Sequence, residues 1–447
     1  MSGSQSSRAH EHKPIDDALA SAIDGEVETA MSHLVRILDS ESPHATSMIL
    51  CGILLGQSGR VDAAEKALRA SMDLAVIEGS LARASAAACQ MRILGLDNSE
   101  RIRWLASIFA RGSSRVLQQG ATPPALPKPA AGRASLPSVD AGDDLVYRLE
   151  LLVAAAQTAV DWGSMPDAWG VPRQPLFSSL DPEGLASILG VLELQSVSRG
   201  EVIIEQHQPG AEAFIVAQGE VEVIRQPDHG DPLVLARLGA GALFGEMALL
   251  SRAPRAAKVV ACRPSLLLVA RREVLDAIAA EDPRVGDTLA EFCRHRMIDN
   301  LVRTSPLLRS VPTAERASLI QRFVTRVFEA GQCLISQGQE SDGLHLVASG
   351  EVVVVHRQQD ESTVLATLTA GEVVGEMALV LRRPSSADVV ASVPTVTLHL
   401  PRDEFLGLIR AYPGMLGHLY ELAVEREAET SSIVAREAEE AGELILV

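Results

Sequence analysis

A long internal repeat constrains this chain more than any other feature. VSRGEVIIEQHQPGAEAFIVAQGEVEVI (197–224) returns as VFEAGQCLISQGQESDGLHLVASGEVVVV (327–355), about 130 residues on. PLFSSLDPEGLASIL (175–189) returns as PLLRSVPTAERASLI (306–320), and GALFGEMALLSRAPRAAKVVA (241–261) as GEVVGEMALVLRRPSSADVVA (371–391). Gly200, Gly219 and Gly245 map onto Gly331, Gly350 and Gly375. A chain that repeats so many spaced positions builds the same fold twice. In the first copy the β-branched runs VIIEQ, AFIVA, EVEVI and SLLLVA alternate with glycine turns. Helical patterns flank them, EGLASILGVL before and REVLDAIAAEDPRVGDTLAEFCRHRMIDNL after. Many short strands between helices predict a small antiparallel β-roll, a double-stranded β-helix with helical flanks.

A second, shorter period of 34 residues occupies the N-terminal region. Gly25, Val27, Ala30 and Leu34 recur as Gly59, Val61, Ala64 and Leu68. Helical patterns precede both glycines, and small residues stand where paired helices must approach closely. This stretch, residues 14–95, resembles tetratricopeptide repeats, with a degenerate third unit from Ser80 to Leu94; a plain helical bundle is the alternative. Stacked helix pairs leave a groove that suits peptides or other helices, so protein partners are expected through this domain. Residues 112–144 are rich in Pro, Ala, Gly and Ser and lose all hydrophobic periodicity, which predicts a linker.

The expected fold class is therefore multidomain α+β: an N-terminal α-helical repeat domain, then two antiparallel β-roll domains with flanking helices. The expected boundaries are a helical domain at 14–111, a linker at 112–144, a helical connector at 145–174, rolls at 175–303 and 304–425, and an acidic helical tail at 426–447.

Composition narrows the function. The net charge of −18 repels phosphate backbones and anionic lipid, and the C-terminal tail is too short and too acidic for a winged helix. Nucleic acid is not expected as a partner. No run of 18 apolar residues appears, so no membrane insertion is expected. The polar N-terminus lacks an apolar signal region, which predicts a cytoplasmic chain. Cys51, Cys89, Cys262, Cys293 and Cys333 are scattered and form no CxxC, which predicts small buried side chains in a reducing compartment. No hydrolase, kinase, P-loop or metal-protease signature appears, and His207, His229, His295, His345 and His356 show no metal-ligand spacing. The chain reads as a non-enzyme without a cofactor.

The chemistry concentrates in FGEMALLSRAPRAA, residues 244–257. This segment resembles the phosphate-binding cassette of the cyclic-nucleotide-binding domain superfamily, which includes catabolite activator proteins, kinase regulatory subunits and channel gating domains. The combined resemblance covers residues 175–425. It implies a pocket lined by Gly245, Glu246, Met247, Ala248, Arg255 and Ala256. The residue chemistry agrees. Arg255 offers a planar fork to two phosphate oxygens. Glu246 accepts from a ribose 2′-hydroxyl without donating. Gly245 lets the backbone approach, and a short helix from Glu246 would aim its positive end at the anion. In the second copy the same positions are Gly375, Glu376, Met377, Ala378, Ser385 and Ser386. Serine in place of arginine removes the phosphate cation, so this copy is expected to be degenerate, with Arg382 and Arg383 as surface charges.

The resemblance implies a cyclic-nucleotide sensor, with cyclic AMP preferred to cyclic GMP because Ala256 offers no hydroxyl to guanine. Three readings stay open: an adaptor that passes the signal to protein partners, a kinase-regulatory-subunit-like inhibitor released by cyclic AMP, and a ligand-free scaffold. The inhibitor reading has one candidate pseudosubstrate, Gly-Arg-Ala-Ser-Leu at 132–136, with a single arginine.

Overall fold

The computed structural model describes residues 3–40, 42–117, 144–157, 169–226, 231–250, 252–305, 307, 311–312, 315, 319, 322–358 and 361–445. Most of the expected linker, including the 132–136 string, lies outside these residues, as does Trp162. The chain divides into two compact units. One comprises residues 1–205, 211–246 and 257–292; the other comprises 206–210, 247–256 and 293–447.

The first unit opens with α1 (Gly3–Ile23), α2 (Val27–Ser40), α3 (Ala45–Gln57), α4 (Val61–Ile77), α5 (Leu81–Ile93) and α6 (Ser99–Phe109). The 34-residue period falls on the turns. Gly59 takes φ +75°, which a side chain disfavours, and the next amide, Arg60 N, returns to Leu55 O at 2.8 Å. Gly25, Gly79 and Gly95 close their helices the same way, so the stretch read as degenerate is one helix of a third pair. A Cβ on Gly52 would lie 2.5 Å from Leu68 Cδ2; its absence lets α3 and α4 close together. Helix α7 (Leu145–Ala156), capped by Asp144 Oδ1 on Val146 N, packs on α2, α3 and α4 through buried Leu149, Leu152 and Val153.

The first β-roll consists of two four-stranded antiparallel sheets. One has the order β1 (Glu193–Val197), β8 (Ser265–Arg271), β3 (Glu212–Gln218), β6 (Leu243–Phe244); the other β2 (Val202–Ile204), β7 (Lys258–Ala261), β4 (Glu220–Arg225), β5 (Leu233–Gly239). Val197, Phe214, Val216, Val221, Phe244, Leu267 and Val269 fill its core. Helix α8 (Pro182–Val191) precedes the roll, with Asp181 Oδ1 accepting from Gly184 N and Pro182 in its first turn. Helices α10 (Arg272–Glu281) and α11 (Pro283–Thr304) follow.

Within this unit the helical domain lies on the first roll and on α8, through α1, α3 and α5 and through α6 packed on α8. Asp16 on α1 binds Arg263 through both carboxylate oxygens, at 2.6 and 2.7 Å. Thr46 on α3 donates to Gln218 Oε1 at 3.0 Å, and Arg83 on α5 reaches the same oxygen at 3.3 Å. Arg92 donates to Gly190 O and Leu192 O, and Cys89 Sγ to Leu192 O at 3.1 Å. Helices α1, α3 and α5 thus face the strands of the roll, while α7 packs mainly on α2 and α4.

The second roll repeats the topology. Its sheets run β9 (Val324–Phe328), β16 (Thr395–Pro401), β11 (Gly343–Ser349), β14 (Val373–Val374), and β10 (Cys333–Ile335), β15 (Asp388–Ala391), β12 (Glu351–Gln358), β13 (Glu361–Thr369). Every neighbour matches its counterpart in the first roll. Helices α12 (Glu376–Leu381), α13 (Arg402–Ala411) and α14 (Pro413–Ile445) complete the unit. Helix α14 runs unbroken through 425/426, where the sequence suggested the start of a tail.

The sequence located β2, β3, β4 and β8 but not β1, β5, β6 or β7. Strand β5 shows why: most of its residues face solvent, so its apolar pattern is irregular. The cysteine expectation needs a correction. Cys51, Cys89 and Cys293 are buried, Cys262 is half-buried, and Cys333 is exposed at the start of β10. Among the described residues no helix is long and apolar enough to cross a membrane.

Candidate ligand sites in the two β-rolls

The second roll has a pocket at its cassette. Gly375, Glu376, Met377, Ala378, Ser385 and Ser386 all line it, with apolar walls from Ile335, Leu368, Val374 and Val389. Gly375 holds φ +87° between β14 and α12 and turns the chain so that Glu376 starts the helix. The Glu376 carboxyl is 2% exposed. A buried carboxylate needs a partner, and the sequence offered none. The structure supplies Arg426 from α14. Its Nη1 donates to Glu376 Oε1 at 2.6 Å and to Val373 O at 2.7 Å. Glu429 and Thr430 from the same helix also line the pocket. Ser385 removes the loop cation, yet a cation does face Glu376, 41 residues beyond Ser385 in sequence.

Ser385 occupies the position read for it. Gly338 N donates to Ser385 O at 2.8 Å and Ser385 N to Gln339 O at 2.9 Å, which pins the loop. Its hydroxyl is buried and, among the described residues, has no hydrogen-bond partner. Arg382 is exposed in a left-handed conformation, φ +52°, and exposed Arg383 pairs with Glu427. Neither lines the pocket, which fits their reading as surface charges.

In the first roll the corresponding residues fall in both compact units. Gly245 (φ +72°) and Glu246 (4% exposed) belong to the first unit and follow β6. Met247, Ala248, Arg255 and Ala256 belong to the second unit's set of residues. Helix α9 (Met247–Leu250) is a single turn. It begins one residue later than expected, and one turn carries little dipole for an anion. The arginine loop is held as in the second copy: His207 N donates to Arg255 O at 2.8 Å, and Arg255 N to Gln208 O at 2.9 Å. His207 takes φ +66° where the second copy has Gly338 at φ +80°. Beside this loop the Arg255 guanidinium lies against the Gly210 backbone. A Cβ at 210 would sit 2.2 Å from Arg255 Nε. Gly210 is thus a positioning residue that the sequence motifs did not single out. Ala248 is buried and Ala256 exposed.

Residues 194–282 and 325–412 both match the family described as "Cyclic nucleotide-binding domain". The chain is 34% identical over 246 residues to a cAMP-dependent protein kinase regulatory subunit of Yarrowia lipolytica, covering 55% of this chain and 61% of that one. It is 29% identical over 242 residues to a cAMP-dependent protein kinase type II regulatory subunit of Drosophila melanogaster, covering 54% and 59%. The chain thus spans about three fifths of the length of these curated relatives. Among solved structures, the regulatory domain of Toxoplasma gondii PKA with cAMP is 26% identical, covering 56% of this chain and 92% of that one, at a TM-score of 0.28.

Proposed function

We propose, from the two segments that match the cyclic nucleotide-binding domain family, that the chain is a sensor whose first roll takes cyclic AMP while its second roll does not. The observation that carries this reading is the contrast in arginines. Arg255 is held by two loop hydrogen bonds and lies on the bare backbone of Gly210. At the matching place the second roll has Ser385, and its acid is already bound by Arg426. In the first roll Arg255 would clamp the cyclic phosphate, Glu246 would accept from the ribose 2′-hydroxyl, and Gly245, Met247, Ala248 and Ala256 would line the remainder. Calorimetry of the whole chain against cyclic AMP tests it. The expected stoichiometry is one, and a stoichiometry of two with similar affinities overturns the assignment of the second roll.

The output is proposed to pass to a protein partner. The first roll is packed directly on α1, α3 and α5, so a shift in the roll has a physical route into the helices. The names of the relatives favour one kind of partner, a cAMP-dependent protein kinase. A kinase assay with and without the chain separates a kinase-regulatory role from a different adaptor role: inhibition relieved by cyclic AMP supports the former, and no effect on the kinase refutes it.

A further inference from the structure

A cluster of polar groups in the second roll has no role in the nucleotide reading. His345 on β11 and His399 on β16 are direct cross-strand partners, and their rings lie 4.5 Å apart between centroids. Asp342, just before β11, places Oδ1 3.2 Å from His399 Nε2 and 3.8 Å from His345 Nε2. One donor atom from each residue falls within 4.8 Å of the others. His345 is fully buried and His399 is 2% exposed, while Asp342 faces solvent.

The first roll shows how unusual this is. There the equivalent strand positions are Phe214 and Val269, also direct partners, and Phe214 stacks on Phe244 at 5.2 Å. Ala211 and Glu212 stand where the second roll has Asp342 and Gly343. A dry apolar cluster has been exchanged for two imidazoles and a carboxylate that converge. As hydrogen-bonding groups they are poorly served. Among the described residues His345 Nε2, the atom that faces Asp342, makes no hydrogen bond, and native interiors seldom leave such an atom unmet.

We propose that Asp342, His345 and His399 form a binding site for a divalent transition-metal ion of the zinc class. Three ligands of this type leave a fourth position open. At bond lengths of about 2.0–2.1 Å, tetrahedral ligand atoms sit roughly 3.3 Å apart; Asp342 Oδ1 and His399 Nε2 already lie at 3.2 Å, and the wider separations, within 4.8 Å, must close on binding. Nitrogen donors select zinc, cobalt or nickel over magnesium and calcium. The supporting contacts are those that orient metal ligands. Thr397 Oγ1 lies 3.0 Å from His345 Nδ1 and fixes that ring, leaving Nε2 for the ion. Arg326 Nη1 donates to Asp342 Oδ2 at 2.9 Å and leaves Oδ1 turned inward. A Cβ at position 343 would lie 2.5 Å from His399 Nε2, and Gly343 keeps that space clear. Exposed Asp342 provides the way in from solvent.

The test titrates the chelator-stripped full chain with Zn2+ in competition with a metal dye, and with Co2+ followed by its visible absorption. His10 and His12 near the N-terminus offer donors of their own, so the reading is the difference between wild type and variants. His345→Phe and His399→Val install the first roll's residues, and Asp342→Asn changes only an exposed group. Each is expected to weaken one equivalent of Zn2+ by at least tenfold and to abolish the cobalt absorption, with Mg2+ and Ca2+ failing to compete. Circular dichroism confirms folding of each variant, and Asp342→Asn decides the matter if the buried substitutions do not fold. Absence of zinc binding by the wild type overturns the proposal. Unchanged affinity in the folded variants overturns it equally.

Discussion

The two rolls share a backbone and differ in where they keep their charge. Both hold the cassette loop by the same pair of hydrogen bonds, through Arg255 in one and Ser385 in the other. Both turn into a short helix through a glycine at positive φ, Gly245 and Gly375. Yet the first copy carries its cation on the loop, where Gly210 gives it room. The second presents its cation from α14, as Arg426 on Glu376. A buried acid constrains a fold to provide a positive partner, but it does not constrain where in the sequence that partner stands.

The strongest way to break this comparison is Arg426→Ala. It strands Glu376, at 2% exposure, without its cation. Removing one partner of a buried pair costs about 3–5 kcal/mol, which should appear as a clear loss of stability in urea unfolding. Adding Glu376→Gln to that variant should recover most of the loss. Wild-type stability in Arg426→Ala would mean that the pair does not hold the helix.

Arg255→Ala comes next. Loss of a charge-assisted contact to phosphate is worth roughly 1.5–3 kcal/mol, one to two orders of magnitude in affinity. Calorimetry with cyclic AMP measures it, and unchanged affinity would refute the first site. A smaller effect is expected from Ser385→Arg. Arg426 already occupies Glu376, so this substitution alone should leave the stoichiometry at one, while Ser385→Arg with Arg426→Ala should raise it toward two. An equal response with and without Arg426 would show that the helix does not guard the pocket.

The smallest effect concerns Ala256 and its counterpart Ser386. A hydroxyl facing guanine contributes about 1 kcal/mol, near fivefold. Ala256→Ser should narrow the preference for cyclic AMP over cyclic GMP by that factor in direct competition, and tighter cyclic GMP binding by the wild type would reverse the assignment.

What the sequence made legible followed from local rules. Glycines at 34-residue spacing required positive-φ helix ends, and the structure puts them there. The 130-residue repeat paired Arg255 with Ser385 correctly because each roll repeats the same hydrogen-bond frame. Contacts made at a distance were not legible. Arg426 sits in LAVEREAET, an acidic helical stretch whose pattern gives one arginine no distinction. The period of the N-terminal helices revealed that they pair, but not that α1, α3 and α5 would lie on the first roll. The histidine cluster was hidden for the same reason. His345 and His399 are 54 residues apart and meet only through strand register.

The docking of the helices on the first roll has a thermodynamic consequence. Asp16, Thr46, Arg83 and Arg92 tie the helical stack to Arg263, Gln218, Gly190 and Leu192. Groups so joined tend to open together, as one cooperative unit. A ligand that binds only the folded roll at a hundred times its dissociation constant adds about 2.7 kcal/mol to that unit. Amide protons deep in α3 and α5 would then exchange more slowly with solvent when nucleotide is present, although no atom of those helices need touch it.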